Sequence, residues 1–170
     1  MNKKIPWSEN DKLFKQELES GYKWQKLPAL YFELLGFSVS IPDLSVRESI
    51  KDAKNWLNSV DLFINDYPIE IKSRNEIFTS PDSFPYKTIF IDTVSGWLGK
   101  INKPIAYIMV SRKTGSMLWI DTKDYEDKWL VETKIDRVRG IRESFFTIAR
   151  DELKSLDSLV TLIDSKKYES

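Results

Sequence analysis

Three charged residues interrupt a segment whose composition is otherwise that of β-strands, VDLFINDYPIEIKSR (residues 60–74). Asp61, Glu70 and Lys72 occupy positions at which packing alone would favour Val or Thr. Carboxylates are hard oxygen ligands for divalent cations, and a lysine beside them can act on a group bound near the cation. The segment therefore carries the residue types of a metal-dependent site.

The turn between the two strands decides whether these side chains meet. If the dipeptide Asn65-Asp66 forms a two-residue turn, Asp61 lies directly across the ladder from Glu70, and Lys72 shares their face. The opposite, apolar face then consists of Val60, Leu62, Ile64, Ile69 and Ile71. Opposed carboxylates roughly 5 Å apart repel each other unless a cation or a shared proton lies between them. The spacing therefore favours a divalent metal ion.

An ordinary solvated strand face is the alternative interpretation of the same residues. Antiparallel sheets commonly expose one face to water, and the alternation Glu-Ile-Lys is typical of such a face. A merely solvated face would be expected to pair opposite charges across the ladder, and Phe63 shares the face with the acids, which favours a partly covered cleft. Asp61 and Glu70 lie opposite each other only if the turn has two residues, because a longer loop would shift the register of the two strands.

The composition excludes several other kinds of catalysis. The 170 residues include no cysteine and no histidine, which removes disulfides, thiolate chemistry, Ser-His-Asp triads and the usual zinc sites. Lys and Arg (26) balance Asp and Glu (26), so any contact with a polyanion must come from local patches. No apolar run has the length of a signal peptide or a membrane span. The sequence predicts a soluble, cytoplasmic protein without a membrane partner.

The pattern of apolar residues predicts one domain over residues 1–170. Two helices are expected over about 8–21 and 24–35, the second ending at Gly36. Strands are expected over 60–64, 69–73, 86–94, 104–112 and 116–122, with a short helix at 95–101. One or two amphipathic helices are expected over 141–163. This order indicates an α/β or α+β fold with a mixed sheet.

Asp61, followed after eight residues by Glu70-Ile71-Lys72 at the end of an apolar strand, resembles the D…(D/E)-x-K motif of the PD-(D/E)XK nuclease superfamily. That superfamily includes restriction endonucleases, Holliday-junction resolvases and phage nucleases. The order of elements over about 20–121 is similar to its restriction-endonuclease-like αβββαβ core, a mixed central sheet flanked by helices. A C-terminal helical extension is expected at about 140–165. Val60 stands where a proline often precedes the first acid.

The resemblance implies Mg²⁺- or Mn²⁺-dependent hydrolysis of DNA phosphodiester bonds, most simply by an endonuclease acting on branched or duplex DNA. Asp61, Glu70 and the backbone oxygen of Ile71 would hold the metal ion. Lys72 would orient or deprotonate the attacking water and stabilise the developing negative charge. Resolvases and many restriction enzymes act as dimers, so the resemblance also implies a homodimer.

Two residues of the predicted N-terminal helix are alternative further metal ligands. The segment FKQELESGYKWQKLPALYFELLGFSV is similar to the opening helix of small phage and resolvase members, in which an acid often follows a glycine by a few residues. Gln25 stands at that place in this sequence, and an amide oxygen can bind metal without contributing charge. Glu33, two turns further on, is the other candidate. The alternative interpretation of Glu33 is an ordinary solvated glutamate on a helix.

Several basic residues are candidates for phosphate contacts, because they flank the predicted catalytic strands or cluster in the sequence. They are Arg74, Lys87, Arg112, Lys113, Arg137, Arg139 and Arg142. Each of them alone is typical of a solvated surface, whereas a stripe formed by several would bind a nucleic acid.

Two other functions are compatible with the same residues. A catalytically inactive nucleic-acid- or protein-binding module could keep this fold, and the neutral net charge and Gln25 favour it. A structural α/β domain could carry the acids on a solvated face. The complete set of Asp61, Glu70 and Lys72 favours the nuclease.

Overall fold

Two β-sheets, four α-helices and two short 3₁₀ helices (Pro81–Ser83 and Arg150–Glu152) make up the part of the chain that the computed structural model describes, residues 9–42, 60–137, 140–167 and 169. The strands are β1 (Val39–Ser40), β2 (Leu62–Ile64), β3 (Tyr67–Arg74), β4 (Thr88–Thr93), β5 (Ala106–Ser111), β6 (Met117–Asp121), β7 (Leu130–Asp136), β8 (Ile141–Ala149) and β9 (Lys154–Ser155). The helices are α1 (Glu9–Leu34), α2 (Val94–Gly99), α3 (Tyr125–Lys128) and α4 (Leu156–Lys166).

The larger sheet is mixed and has six strands in the order β1-β2-β3-β5-β6-β9. Strands β3 and β5 are parallel, and the other neighbours are antiparallel. The smaller sheet is antiparallel and has the order β4-β8-β7. The predicted α/β class with a mixed central sheet is confirmed. Strand β4 was expected from the sequence, but it pairs outside the larger sheet.

The hairpin of β2 and β3 has the predicted register. Asn65 and Asp66 have φ values of 46° and 67°, the left-handed conformations that a two-residue type I′ turn requires. Ile64 pairs with Tyr67. The amide of Ser38 donates to Oδ1 of Asn65 at 3.0 Å, so the turn is also held by the chain leading into β1. Asp61, one residue before β2, therefore lies opposite Glu70.

Helix α1 is continuous through Gly21, whereas the sequence predicted two helices. A glycine inside a helix costs only about 1 kcal/mol relative to alanine, and packing of the buried face, which includes Ala29 and Phe32, outweighs that cost. The helix ends in a Schellman motif, in which Gly36 (φ 87°) donates to the carbonyl of Glu33 and the amide of Phe37 donates to that of Phe32.

The segment 141–149 is strand β8, so the predicted helical extension over about 140–165 is wrong for its first part. Phe145, Ile148 and Leu153 have helix-like spacing, but β8 pairs with β4 on one side and β7 on the other. Those two ladders satisfy the backbone along the segment and outweigh the weak local preference. The C-terminal helix is α4 alone.

Strand β5 is buried along its whole length, and its alternating side chains enter two cores. On one face, Ile108 belongs to a core with Phe32 of α1 and Leu159 of α4. On the other, Tyr107 belongs to a core with Trp97 of α2 and residues of the smaller sheet. The helices α1 and α4 therefore cover one face of the larger sheet, and α2 and the smaller sheet cover the other. In the described residues, no helix is long and apolar enough to cross a membrane.

Candidate active site

The hairpin brings the three predicted catalytic residues together. Oδ2 of Asp61 accepts a hydrogen bond from the amide of Ile71 at 2.8 Å. Glu70 is only 9% exposed, and its Oε1 lies 3.3 Å from Nζ of Lys72. Asp61 is therefore hydrogen-bonded to the strand that carries the other two residues, as expected for a two-residue turn.

Helix α1 contributes Gln25 to this cluster. Gln25 is buried, and its Nε2 donates to Oδ1 of Asp61 at 2.9 Å. Both oxygens of the Asp61 carboxylate therefore have fixed partners. Glu33 is exposed on the same helix, so of the two candidate ligands only Gln25 lies beside Asp61.

Three further residues complete the cluster, and none of them was predicted. Asp92 comes from β4, Lys100 follows α2, and Tyr107 lies on β5. Nζ of Lys100 lies 3.3 Å from Oε2 of Glu70, and the Nζ atoms of Lys100 and Lys72 each lie 3.9 Å from Oδ2 of Asp92. The same Asp92 oxygen accepts a hydrogen bond from the hydroxyl of Tyr107 at 2.8 Å. Both lysines thus lie between Glu70 and Asp92.

The sequence holds a signal for Asp92 but not for the other two residues. In TIFIDT (88–93), the alternation places Phe90 and Asp92 on the face opposite two buried isoleucines, so an acid again interrupts a strand. A β-bulge between Phe90 and Asp92 shifts the pairing with β8, and such bulges re-aim side chains next to active sites. Lys100 and Tyr107 come from a helix end and a fully buried strand, where no alternation marks them.

Burial and neighbouring charges set the protonation of the cluster. Burial, reinforced by the charge of Glu70, raises the pKa of Asp61 to about 7, against the lowering effect of the Ile71 amide and the lysines. Burial alone would lower the pKa of Lys72, but Glu70, Asp92 and Asp61 outweigh it and raise that pKa above its ordinary value. Lys72 is therefore an ammonium at neutral pH. That state suits it to orienting water and stabilising charge rather than to removing a proton.

The donor set of the cluster fits a hard divalent cation. Within residues 9–42, 60–137, 140–167 and 169, no group of three or more acidic side chains is arranged to hold one metal ion. The predicted ligands do not require such a group, since they are the carboxylates of Asp61 and Glu70 together with neutral oxygens. Once Asp61 has lost its proton, the carboxylates of Asp61, Glu70 and Asp92 outnumber the amines of Lys72 and Lys100 by one, so a cation would improve the balance of charge.

The predicted phosphate-binding residues divide by location. Arg74 and Arg112 line a cleft that also contains Lys72 and Asp92. Lys113, Lys87, Arg137 and Arg142 are exposed and do not line that cleft, and Arg139 lies outside the described residues. A larger cavity of about 490 Å³ beside Trp97 contains none of the clustered charges. The cleft at Arg74 and Arg112 is therefore the concave surface next to the site.

Comparisons of the chain with protein-family models, with curated proteins and with solved structures found no match. An assignment of function therefore depends on the chemistry of the cluster and on the order of the elements around it.

Proposed function

We propose that this protein is a metal-dependent deoxyribonuclease of the PD-(D/E)XK type, which hydrolyses phosphodiester bonds within DNA. The observation that carries the proposal is the convergence of Asp61, Glu70 and Lys72 at one place on the β2–β3 hairpin, with 3.3 Å between the Glu70 carboxylate and the Lys72 amine. A carboxylate pair with an adjacent lysine is the residue set that this chemistry needs.

The arrangement of elements around the cluster supports the same proposal. Helix α1 precedes β1, β2 and β3, which pair in antiparallel fashion, and α2 then leads to β5, which pairs parallel to β3. Apart from β4, this order agrees with the αβββαβ order expected of a restriction-endonuclease-like core, which supports the proposal. Strand β4 is an addition between β3 and α2, and it delivers Asp92 to the cluster.

Asp61 and Glu70 would hold the metal ion, together with the backbone oxygen of Ile71 and the amide oxygen of Gln25. A bound Mg²⁺ or Mn²⁺ would lower the pKa of a water molecule and neutralise charge on the phosphate. For this role Asp61 must lose its proton, and the Gln25 and Ile71 hydrogen bonds already hold its carboxylate in one orientation.

The remaining residues of the cluster stabilise and position charge. Lys72, held as an ammonium by the acids around it, would orient the attacking water and stabilise the negative charge that develops on the phosphate. Lys100 pairs with Glu70 and Asp92. Tyr107, whose hydroxyl donates to Asp92, positions that acid between the two lysines.

A catalytically inactive DNA-binding module is the second candidate, and one observation favours it. Both oxygens of Glu70 already lie 3.3 Å from a lysine amine, Lys72 on one side and Lys100 on the other. Such a cluster neutralises Glu70 without a metal ion, so the site would be stable in the absence of metal.

A cleavage panel separates the two candidates. Purified protein is incubated with duplex, single-stranded, branched and four-way-junction DNA in Mg²⁺, in Mn²⁺ and in EDTA, and the same substrates are used for gel shifts in Ca²⁺. The nuclease predicts cleavage in Mg²⁺ or Mn²⁺ that EDTA abolishes. A gel shift with no cleavage of any substrate in either metal would overturn the nuclease and leave the binding module.

A further inference from the structure

The cleft beside the cluster lies between β3 and β4 and has a volume of about 390 Å³. Its walls carry Lys72 and Asp92 at the catalytic end, the guanidinium groups of Arg74 and Arg112, and the rings of Phe90 and Phe145. A volume of this size accepts a small organic group. The mixture of cations and aromatic rings next to a proposed phosphodiesterase site is the composition of a nucleotide-binding surface.

Arg112 is positioned to bind a phosphate in this cleft. Its Nε and Nη2 donate to Oγ of Ser73 at 3.0 and 2.8 Å, which fixes the guanidinium over the strand that also carries Lys72. An arginine has five N–H donors in a planar fork, so the contacts with Ser73 leave donors for a second acceptor. Lys72 and Arg112 together give the cleft two positive groups within one short stretch of its wall.

Arg74 adds a partly buried positive charge to the same wall. Its Nη2 donates to the carbonyl of Phe90, and its Nε is buried without a hydrogen-bond partner among the described residues. Burial lowers the pKa of this guanidinium, and Glu76 acts in the opposite direction. A partly buried cation with a buried, unsatisfied N–H donor favours an anion in the adjoining space.

Two half-buried rings form the aromatic part of the wall. Phe90 and Phe145 lie edge to face, with 5.5 Å between their centroids, so the two rings present different surfaces. Nζ of Lys134 lies 4.0 Å from the centroid of Phe90. These rings lie outside both apolar cores, and an aromatic ring at a cleft wall offers a face on which a base can stack.

A second cavity of about 330 Å³ adjoins the cleft and shares Arg74 and Phe90 with it. This second cavity is also lined by Lys134 and Tyr86, and Tyr86 is 57% exposed. Glu76 contributes one negative charge there. Cationic and aromatic side chains therefore line both cavities, from Lys72 and Asp92 in the first to Tyr86 in the second, and we call the two adjoining cavities together the groove.

We propose that this groove binds an unpaired DNA strand next to the scissile phosphate, with a phosphate at Arg112 and bases stacked on Phe145 and Tyr86. The part of this inference that concerns cleavage of the strand rests on the proposed nuclease function, whereas the part that concerns binding of the strand does not. Stacking on aromatic side chains needs base faces that a duplex keeps covered. The groove therefore favours single-stranded DNA, flaps and junction arms with frayed ends over continuous duplex.

Binding in Ca²⁺ tests the inference without cleavage. The affinities of a fluorescein-labelled single-stranded oligonucleotide and of its duplex are measured by anisotropy at several salt concentrations. We expect the single strand to bind at least about tenfold more tightly than the duplex, and Phe145→Leu to weaken it by about tenfold. Phe145→Trp restores the aromatic face and should retain the affinity.

Arg112→Ala and Lys113→Ala form a matched pair, since the two residues are neighbours and only Arg112 lines the cleft. We expect Arg112→Ala to weaken single-strand binding and to lower the salt slope by about 0.7, with no change for Lys113→Ala. Thermal midpoints establish that each variant is folded. Equal affinity for single strand and duplex, or equal losses from the two variants, overturns the inference.

The outcome also separates this inference from the proposed function. Binding of a single strand that depends on Arg112 and Phe145, without cleavage in Mg²⁺ or Mn²⁺, supports the groove and contradicts the nuclease. Metal-dependent cleavage of duplex that is indifferent to Arg112→Ala and Phe145→Leu supports the nuclease and contradicts the groove.

Discussion

Lys100 lies 3.3 Å from Oε2 of Glu70, on the carboxylate oxygen that Lys72 does not contact. Lys100 is 10% exposed at its side chain, so the pair is shielded from solvent. Glu70 is therefore held between two amines, one from its own strand and one from the end of α2. The strand β4 and the helix α2 belong to the segment that connects β3 with β5. The Lys100–Glu70 pair therefore links this segment to the β2–β3 hairpin.

Removing Lys100 should destabilise the metal-free protein. Lys100→Met leaves Glu70 and Asp92 with one amine instead of two, and breaking a buried ion pair costs about 3–5 kcal/mol. We expect the unfolding free energy in EDTA, measured by urea denaturation, to fall by about 3 kcal/mol. Lys123→Met, an exposed lysine outside the cluster, should change it by less than about 0.5 kcal/mol. Equal stability of the two variants would show that the Lys100 contact contributes little.

Metal-free stability should fall as the pH rises, because Asp61 has a folded pKa of about 7 and an unfolded one of about 3.9. The folded state binds the proton of Asp61 more tightly than the unfolded state does. The stabilisation that this proton provides is therefore fully present below the unfolded pKa and is lost as the pH rises through the folded pKa. Between pH 5.5 and 7 in EDTA we expect a loss of about 1–2 kcal/mol relative to Asp61→Asn. Parallel pH profiles for the two proteins would refute the raised pKa of Asp61.

A bound metal ion should offset the destabilising repulsion between the carboxylates of Asp61 and Glu70. Asp61→Asn removes one charge of the pair, so its melting midpoint in EDTA should equal or exceed that of the wild type at pH 8. If Mg²⁺ binds the folded wild-type protein as proposed, it should raise the wild-type midpoint by mass action, with little effect on the variant. If Asp61→Asn is strongly destabilised and still responds to Mg²⁺, the role of Asp61 is structural. Its carboxylate would then serve only to accept the hydrogen bonds from Gln25 and Ile71.

Lys72 should separate catalysis from metal binding. It is an amine held beside the carboxylates and is not a metal ligand, so Lys72→Ala should lose cleavage and retain Mn²⁺ binding better than Asp61→Ala or Glu70→Ala. Titration calorimetry with Mn²⁺ measures the binding, and circular dichroism checks the fold of each variant. Loss of Mn²⁺ binding in Lys72→Ala to the same degree as in Glu70→Ala would contradict this division of roles.

The hairpin could be predicted because its information is local. The Asn65-Asp66 turn and the alternation on each side fix the register within a few residues, and that register brings Asp61 to Glu70. The contact of Lys100 with Glu70 could not be predicted. It depends on where α2 packs, and the end of α2 at Gly99 is 25 residues along the chain from the end of β3 at Arg74. Strand β8 was missed because two ladders, one of them to distant β4, outweighed the helix-like spacing of its apolar residues.

Nicking of supercoiled plasmid in Mg²⁺ by wild-type, Glu70→Gln and Asp66→Asn protein, purified identically, tests the central claim most directly. Asp66 is an exposed acid in the turn of the same hairpin, and asparagine tolerates its left-handed backbone conformation, so Asp66→Asn is a matched control. We predict nicking by the wild type and by Asp66→Asn, abolished by EDTA and reduced at least ~100-fold in Glu70→Gln. Equal nicking by Glu70→Gln and the wild type, or none by any of the three proteins, would contradict the proposed nuclease.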